Sequence, residues 1–556
     1  MKKLIKNLIF AYLIIVIVKS ILTYIIPAPS AFSDGYIYAK LARSFFLDQN
    51  FVLHGSIYNH YLPLYSIVLS PAYLLGKMSL IYPAMKIINS IISSLIIFPA
   101  FYLAKEFISP NKAFYTSLLI SFLPSNLIFS SYLLSENIFY FLFLLSIYLI
   151  YKSSTTNSLY YPVFAGMGVG LTYLAKINGI ALFAVLGTLF LYNLIKKEKT
   201  YLRNIVLTGI IALLVISPWI IRSYNIEGTL FGGYSSEAAT ILDINEFILK
   251  FIIQFLLYSG LLVISTGIIF PMLITRKIFN KKTLTFSVIA LSSIFFILLI
   301  ASNHNVKLSH ETVSYELPSA FLPWLAGRLI GRYIDAVLPL VIILGMICIK
   351  EKLCLKKTLA ITILLIFSSQ LILSGLLPIN HVSVAYFGLI SYVLDFPINM
   401  ILMAAILALV PLIIYKLKLD FKKIIVLFSV FFVLVSLLNF SMIYYNSNTF
   451  WYKGDQVQLG IWLDSYDPER SIILFDERDC TERILKEDQR SICEPSSGFS
   501  ILGFWLNDDL KAGDPETEDF DFLISKHEFT TLKKIKSSST GIHIYKNESN
   551  NNYSSL

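Results

Sequence analysis

The stretch NLIFAYLIIVIVKSILTYII (residues 7–26) contains one charged residue, Lys19, and is soon followed by Ser33-Asp34-Gly35-Tyr36-Ile37-Tyr38. The first segment has the length of a membrane-spanning helix, which needs about 20 apolar residues. The second sets a carboxylate just past the mouth of that span. An ionisable group there is expensive and points to a function. The competing local reading is a helix cap, because Ser33 or Asp34 suits the start of a following helix.

The rest of the chain repeats the first pattern. Of 556 residues, 56% are hydrophobic and 14% charged, whereas an average soluble domain is about 25% charged. Apolar runs near 7–26, 84–103, 113–130, 136–151, 161–174, 179–195, 204–221, 249–275, 283–301, 331–349, 357–376, 398–416 and 423–444 predict about thirteen transmembrane helices, so the fold class is an α-helical polytopic membrane protein. The net charge of +10 does not signal nucleic acid. The basic residues fall in short gaps between apolar runs, without the Arg and aromatic stripe of a nucleic-acid channel.

Every second gap is basic, from Lys2, Lys3 and Lys6 through Lys196, Lys197, Lys199 and Arg203 to Lys416, Lys418, Lys422 and Lys423. Cytoplasmic loops carry this excess of Lys and Arg. The pattern predicts a multi-pass plasma-membrane protein with a cytoplasmic N-terminus, the first span being a retained anchor. An odd number of spans places the C-terminal region outside.

Three regions are expected: a multi-span domain over 1–445, an extracytoplasmic α/β domain over 446–546, and a disordered tail over 547–556. The first outer loop, 27–83, reads as two interfacial helices, Asp34–Leu47 and Pro63–Leu75. In the C-terminal region Asp455–Ser465 reads as a helix, and Ser471–Phe475, Phe520–Ser525 and Thr540–Tyr545 as strands. Cys480 and Cys493 lie on the oxidising side and are expected to form a disulfide. Asn547-Glu548-Ser549 and Asn552-Tyr553-Ser554 match the glycosylation sequon.

The groups able to carry chemistry fall on one membrane face. Asp34 could position an acceptor hydroxyl or take its proton. Lys176, Arg222, Arg328 and Arg332 run against the positive-inside trend, and together could hold a phosphate by charge-assisted hydrogen bonds. Taken singly, each could instead snorkel to a headgroup. Glu136 could bind an acceptor, balance a cation or sit at a helix start. Tyr36, Tyr38, His60 and Asn178 are candidates to bind the acceptor or support the site. No metal-binding His spacing, Walker, Rossmann or serine-nucleophile motif occurs.

The order of these motifs resembles the membrane glycosyltransferases of the C superfamily. Asp34-Gly35-Tyr36 with Ala42-Arg43-Ser44, then Pro63-Leu64-Tyr65, Leu134-Ser135-Glu136-Asn137, Leu174-Ala175-Lys176, Pro218-Trp219-Ile220-Ile221-Arg222 and Gly331-Arg332-Tyr333 carry the likeness over about residues 1–350. The set is similar to protein mannosyltransferases and lipid A aminoarabinose transferases. That resemblance implies a polyprenyl-phosphate or dolichyl-phosphate sugar donor and an outside active site. It implies a first-loop base, Asp34, and donor-phosphate ligands Lys176, Arg222 and Arg332. The acceptor would be a glycan, lipid or protein. Many relatives carry a second acid directly after the first, where this chain has Gly35, which puts a paired-acid mechanism and a divalent metal there in doubt. The Trp-Trp-Asp signature of oligosaccharyltransferases is absent, which disfavours transfer of a whole glycan. A transporter or lipid flippase is the alternative class. It would more often show internal repeats and midplane polar groups.

Overall fold

A computed structural model describes residues 2–29, 32–230, 244–308, 329–369, 382–384, 386, 398–417, 420–467, 471–479 and 498–548. Arg328, Cys480, Cys493 and the sequon at Asn552 lie outside the described residues. Seven described helices are long and apolar enough to cross a membrane, or eight if Pro110–Ser121 and Pro124–Ser131, bent by 62° at their junction, form one span. The protein is a multi-pass membrane protein.

The expected runs near 136–151 and 161–174 are helices, but not simple crossings. Glu136–Ser153 begins on an acid and has Lys152 in its last turn, and Tyr160–Ala175 is only 16 residues long. Sixteen residues rise about 24 Å, short of a hydrocarbon core about 30 Å thick. Asp335–Ile347 and Ile401–Lys416 are likewise short apolar helices.

The chain packs as two compact units. One takes in Met1–Val18, Ile91–Phe129 and Ser135–Ser441, and the other Lys19–Ser90, Ser130–Leu134 and Met442–Leu556. Among the described residues the first holds helices and no strand. Its glycines mark close approaches: a Cβ on Gly166 would stand 2.7 Å from the Thr208 carbonyl oxygen. The Tyr160–Ala175 and Lys199–Glu227 helices therefore pack there with backbone almost in contact.

The second unit joins the first loop to the C-terminal region. Lys86 donates to the carbonyls of Thr23 and Ile26 at 2.7 and 2.6 Å. It thereby satisfies the end of the Lys2–Ile25 helix, whose last carbonyls have no intrahelical partner. The first interfacial helix runs over Phe32–Asp48. The second, Leu64–Leu69, tightens into a 3₁₀ turn over Ser70–Leu75, with Pro71 opening that turn. Between them lies a small hairpin of β1 (Val52–Leu53) and β2 (Ser56–Ile57).

The C-terminal part of this unit is a five-stranded sheet of β3 (Ile472–Asp476), β4 (Asp509–Gly513), β5 (Phe522–Ser525), β6 (Lys533–Ser537) and β7 (His543–Lys546). Its order is β4-β3-β5-β7-β6, with β3 parallel to both neighbours and the last three strands antiparallel. Both faces are covered. Ile473, Phe475, Ile524 and Ile544 pack with Leu459, Leu463 and Leu502 on one side. Leu474, Leu523 and Tyr545 pack with Phe520 on the other. This explains why β3 reads as an unbroken apolar run instead of an alternation.

Candidate functional site

Asp34 lies in the first turn of the Phe32–Asp48 helix. It is therefore inside the helix and not its cap, in a position where the helix dipole favours a negative charge. Tyr61 donates its hydroxyl to Asp34 Oδ1 at 2.7 Å. Tyr38, one helical turn on from Asp34, packs edge-on against both Tyr61 and Tyr65 with ring centroids 4.9 Å apart. Tyr38 thus braces the ring that holds the carboxylate. His60 flanks the same group, its ring 5.6 Å from that of Tyr61.

The other side of this helix faces the C-terminal segment. Tyr36 is buried, and its hydroxyl meets His54 Nε2 at 2.6 Å. Burial, and then the charge of Lys40, push His54 well down, so its imidazole is neutral. Lys40 donates to the Leu506 carbonyl, and Arg43 Nε to the Asn507 carbonyl at 3.1 Å. Asp464 accepts from the backbone N–H groups of Met78 and Asn507 at 2.9 and 3.0 Å. Asp508 is 4% exposed. Burial, followed by the nearby Asp467 and Asp464 charges, pushes Asp508 up to about 8, and burial pushes Lys40 down to about 7. A buried, polar anchorage therefore fixes the helix that bears Asp34.

In the other unit, three of the candidate residues meet. Glu136 is 1% exposed at the start of the Glu136–Ser153 helix. It forms an ion pair with Lys176 and lies 3.5 Å from Arg332 Nε. Lys176 occupies an extended break, φ −158° and ψ 138°, between the Tyr160–Ala175 helix and the Ile177–Gly179 turn. Gly179 allows that break, because a Cβ there would come within 2.7 Å of the Tyr173 backbone. Asn178 is buried in the same turn.

Tyr333 completes the cluster. Lys176 Nζ stands 4.9 Å from its ring centroid, and its hydroxyl meets His304 Nε2 at 3.1 Å. Tyr140 donates to the Arg332 carbonyl at 2.8 Å, fixing the backbone there. Arg222 stacks over Trp219 at 4.6 Å on its own helix. Two cations thus flank one buried carboxylate. Such a cluster can accept a second anion by charge-assisted hydrogen bonds.

Sequence reasoning missed Tyr61, which lies 27 residues from Asp34 and carries no motif. It also missed Asp335, which is 4% exposed and within electrostatic reach of Glu136 and Lys176. The argument applied to Asp34, an acid at the edge of an apolar run, would have flagged Asp335 as well. Among the described residues, Asp476, Asp479 and His527 bring three metal-type donor atoms within 4.8 Å of one another. Arg478 already holds both Asp476 oxygens at 2.8 and 2.6 Å, so that group is a structural ion-pair cluster.

Comparison with known proteins agrees with the motif order. Residues 72–221 match the family model of dolichyl-phosphate-mannose-protein mannosyltransferases. The crystal structure of ArnT from Cupriavidus metallidurans in the apo state matches over 97% of this chain and 98% of its own, with a TM-score of 0.58 at 12% identity. The same protein bound to undecaprenyl phosphate matches over 91% of this chain and 85% of its own, with a TM-score of 0.55 at 14% identity. No curated protein sequence matches the chain. The chain shares the fold of ArnT over nearly its whole length.

Proposed function

We propose that this protein is an inverting membrane glycosyltransferase that moves a sugar from a polyprenyl- or dolichyl-phosphate donor to an acceptor on the outer face of the plasma membrane. The observation that carries the reading is the buried Glu136–Lys176–Arg332 cluster, in a chain with the fold of enzymes of this class. ArnT, whose fold this chain shares, is described bound to undecaprenyl phosphate. The motif order of the first subsection assigns Lys176, Arg222 and Arg332 to the donor phosphate.

In this mechanism the cations act on the leaving group. As the acceptor attacks the anomeric carbon, the bond to the lipid phosphate breaks and negative charge grows on its oxygen. Fixed positive groups in a dry setting stabilise such charge far more than water does. Glu136 keeps Lys176 and Arg332 apart and oriented before the donor arrives, so that little reorganisation is needed when the phosphate binds. Asp34, held by Tyr61, orients the acceptor hydroxyl and takes its proton. Tyr61 holds the Asp34 carboxylate for this role, and Gly35 stands next to it where many relatives carry a second acid.

The class is tested with lipid extracts from a strain lacking this protein. Accumulation of a polyprenyl-phosphate sugar, cleared when the gene is restored, is expected and names the donor. Purified wild-type protein should then transfer that sugar. Failure to transfer any lipid-phosphate sugar, together with unchanged lipid extracts, would contradict the reading and favour a transporter or flippase.

A further inference from the structure

A cavity opens among residues outside both charged clusters. It has a volume of about 440 Å³, within the roughly 300–1,000 Å³ typical of small-molecule sites. Its apolar wall comes from Leu273, Ile349, Ile414, Leu417 and Ile424, and Lys350 and Lys352 stand at its rim. These residues mark the ends of membrane helices: Ile349 follows Leu338–Ile347, Ile414 is in the last turn of Ile398–Lys416, and Ile424 is in the first turn of Phe421–Asn446. The cavity therefore opens where hydrocarbon meets headgroups, on the side that the Lys-rich gaps assign to the cytoplasm.

The charges at the rim are uneven. Glu351, between the two lysines, gives its carboxylate to Lys277 at 2.9 Å. Lys350 and Lys352 are both exposed. Lys357 bonds the carbonyls of Met272, at 3.3 Å, and Ile274, which fixes the wall on that side. The result is a hollow of mixed lining, aliphatic on one wall, with two cations at its water edge. That is the complement of an anionic lipid, whose phosphate seeks Lys while its first acyl carbons seek apolar surface.

We propose that this cavity binds the headgroup of an anionic phospholipid from the cytoplasmic leaflet, with Lys350 and Lys352 on the phosphate and Ile414, Leu417 and Leu273 against the glycerol and upper acyl carbons. Native mass spectrometry of the full-length protein in detergent tests it, with phosphatidylglycerol and phosphatidylcholine of matched chains at equal concentration. Wild type should retain phosphatidylglycerol in preference. The double variant Lys350→Ala, Lys352→Ala should lose that preference by roughly tenfold. Ile414→Trp, which fills the hollow and keeps both lysines, should lose the adduct as well, and Leu417→Trp serves if the first does not fold. Lys281→Ala with Lys282→Ala, on the same basic side but outside the cavity, should behave as wild type. Equal retention of both lipids by wild type would overturn the proposal. So would an adduct that survives filling of the cavity, since the lipid would then sit on the lysine-rich surface alone.

Discussion

The two charged regions of this protein solve the same problem in different ways. Glu136, Lys176 and Arg332 bury an acid among two cations, so most of the charge is balanced within the protein. Asp34 is met by a neutral donor, the Tyr61 hydroxyl. It is half-buried and sits in a first helical turn. Balanced charge is stable and poised to exchange one anion for another. A carboxylate held in place by a tyrosine hydroxyl is positioned to meet the proton of another hydroxyl. The difference matches the division of labour in the proposed reaction, with one region for a phosphate and the other for a hydroxyl.

The comparison can be broken at the cations first. Lys176→Ala should lower kcat by roughly 10²–10³, the cost of losing one preorganised donor to a developing oxyanion. Steady-state transfer with a saturating lipid-phosphate sugar measures it. A change confined to KM would reduce Lys176 to a binding role. Glu136→Gln acts on the same cluster from the other side. Removing the carboxylate's charge from beside two partly buried cations should cost roughly 2 kcal/mol, seen as a lower thermal midpoint. A polyprenyl phosphate should restore much of it, because the lipid's anion replaces the lost carboxylate and binds only the folded protein. An equal midpoint with and without lipid would show that the cluster is purely structural.

The anchorage of the Asp34 helix offers a pH test. Asp508 stands raised to about 8 when folded, above its ordinary value near 4. The contribution of such a group to stability is full at low pH and is lost as pH rises through its folded value. Lys40, lowered to about 7, acts in the opposite sense, and its penalty is relieved only above pH 7. His54, lowered to about 3 when folded, opposes the Asp508 trend up to its ordinary value near 6.5, and Lys40 opposes it above pH 7, so the Asp508 contribution, about 1 kcal/mol per pH unit, shows as the difference between wild type and Asp508→Asn. The gap between their thermal midpoints should shift steadily against wild type as pH rises from 5 to 7. The smallest effect is expected from Tyr61→Phe. Loss of one hydrogen bond to a charged group should lower transfer about tenfold and leave the midpoint little changed.

Legibility in the sequence followed the range of the interaction. Helices were plain wherever apolar runs exceeded about 20 residues, and strand β3 was visible because a run buried on both faces stays apolar throughout. Spans were harder to judge where helices are short and end on charge, as at Glu136–Ser153 and Tyr160–Ala175. The cationic cluster was partly legible, because Lys176 and Arg332 violate a charge rule that holds elsewhere in the chain. The role of Glu136 remained open among three readings, and in the structure it both starts a helix and pairs with Lys176. Contacts such as Lys40 with Leu506, 466 residues apart, leave no local signal. The helix bearing Asp34 and the C-terminal sheet belong to one compact unit, a union that no composition shift announces.

The central claim is that Asp34 is the base of a glycosyl transfer. The direct measurement is transfer by purified Asp34→Asn protein, supplied with the lipid-phosphate sugar that wild type uses. Asparagine keeps the shape and can still accept from Tyr61, so the fold and donor affinity should persist while kcat falls by roughly 10²–10⁴. Transfer at the wild-type rate would remove Asp34 from the chemistry and leave it a helix-terminal acid paired with a tyrosine.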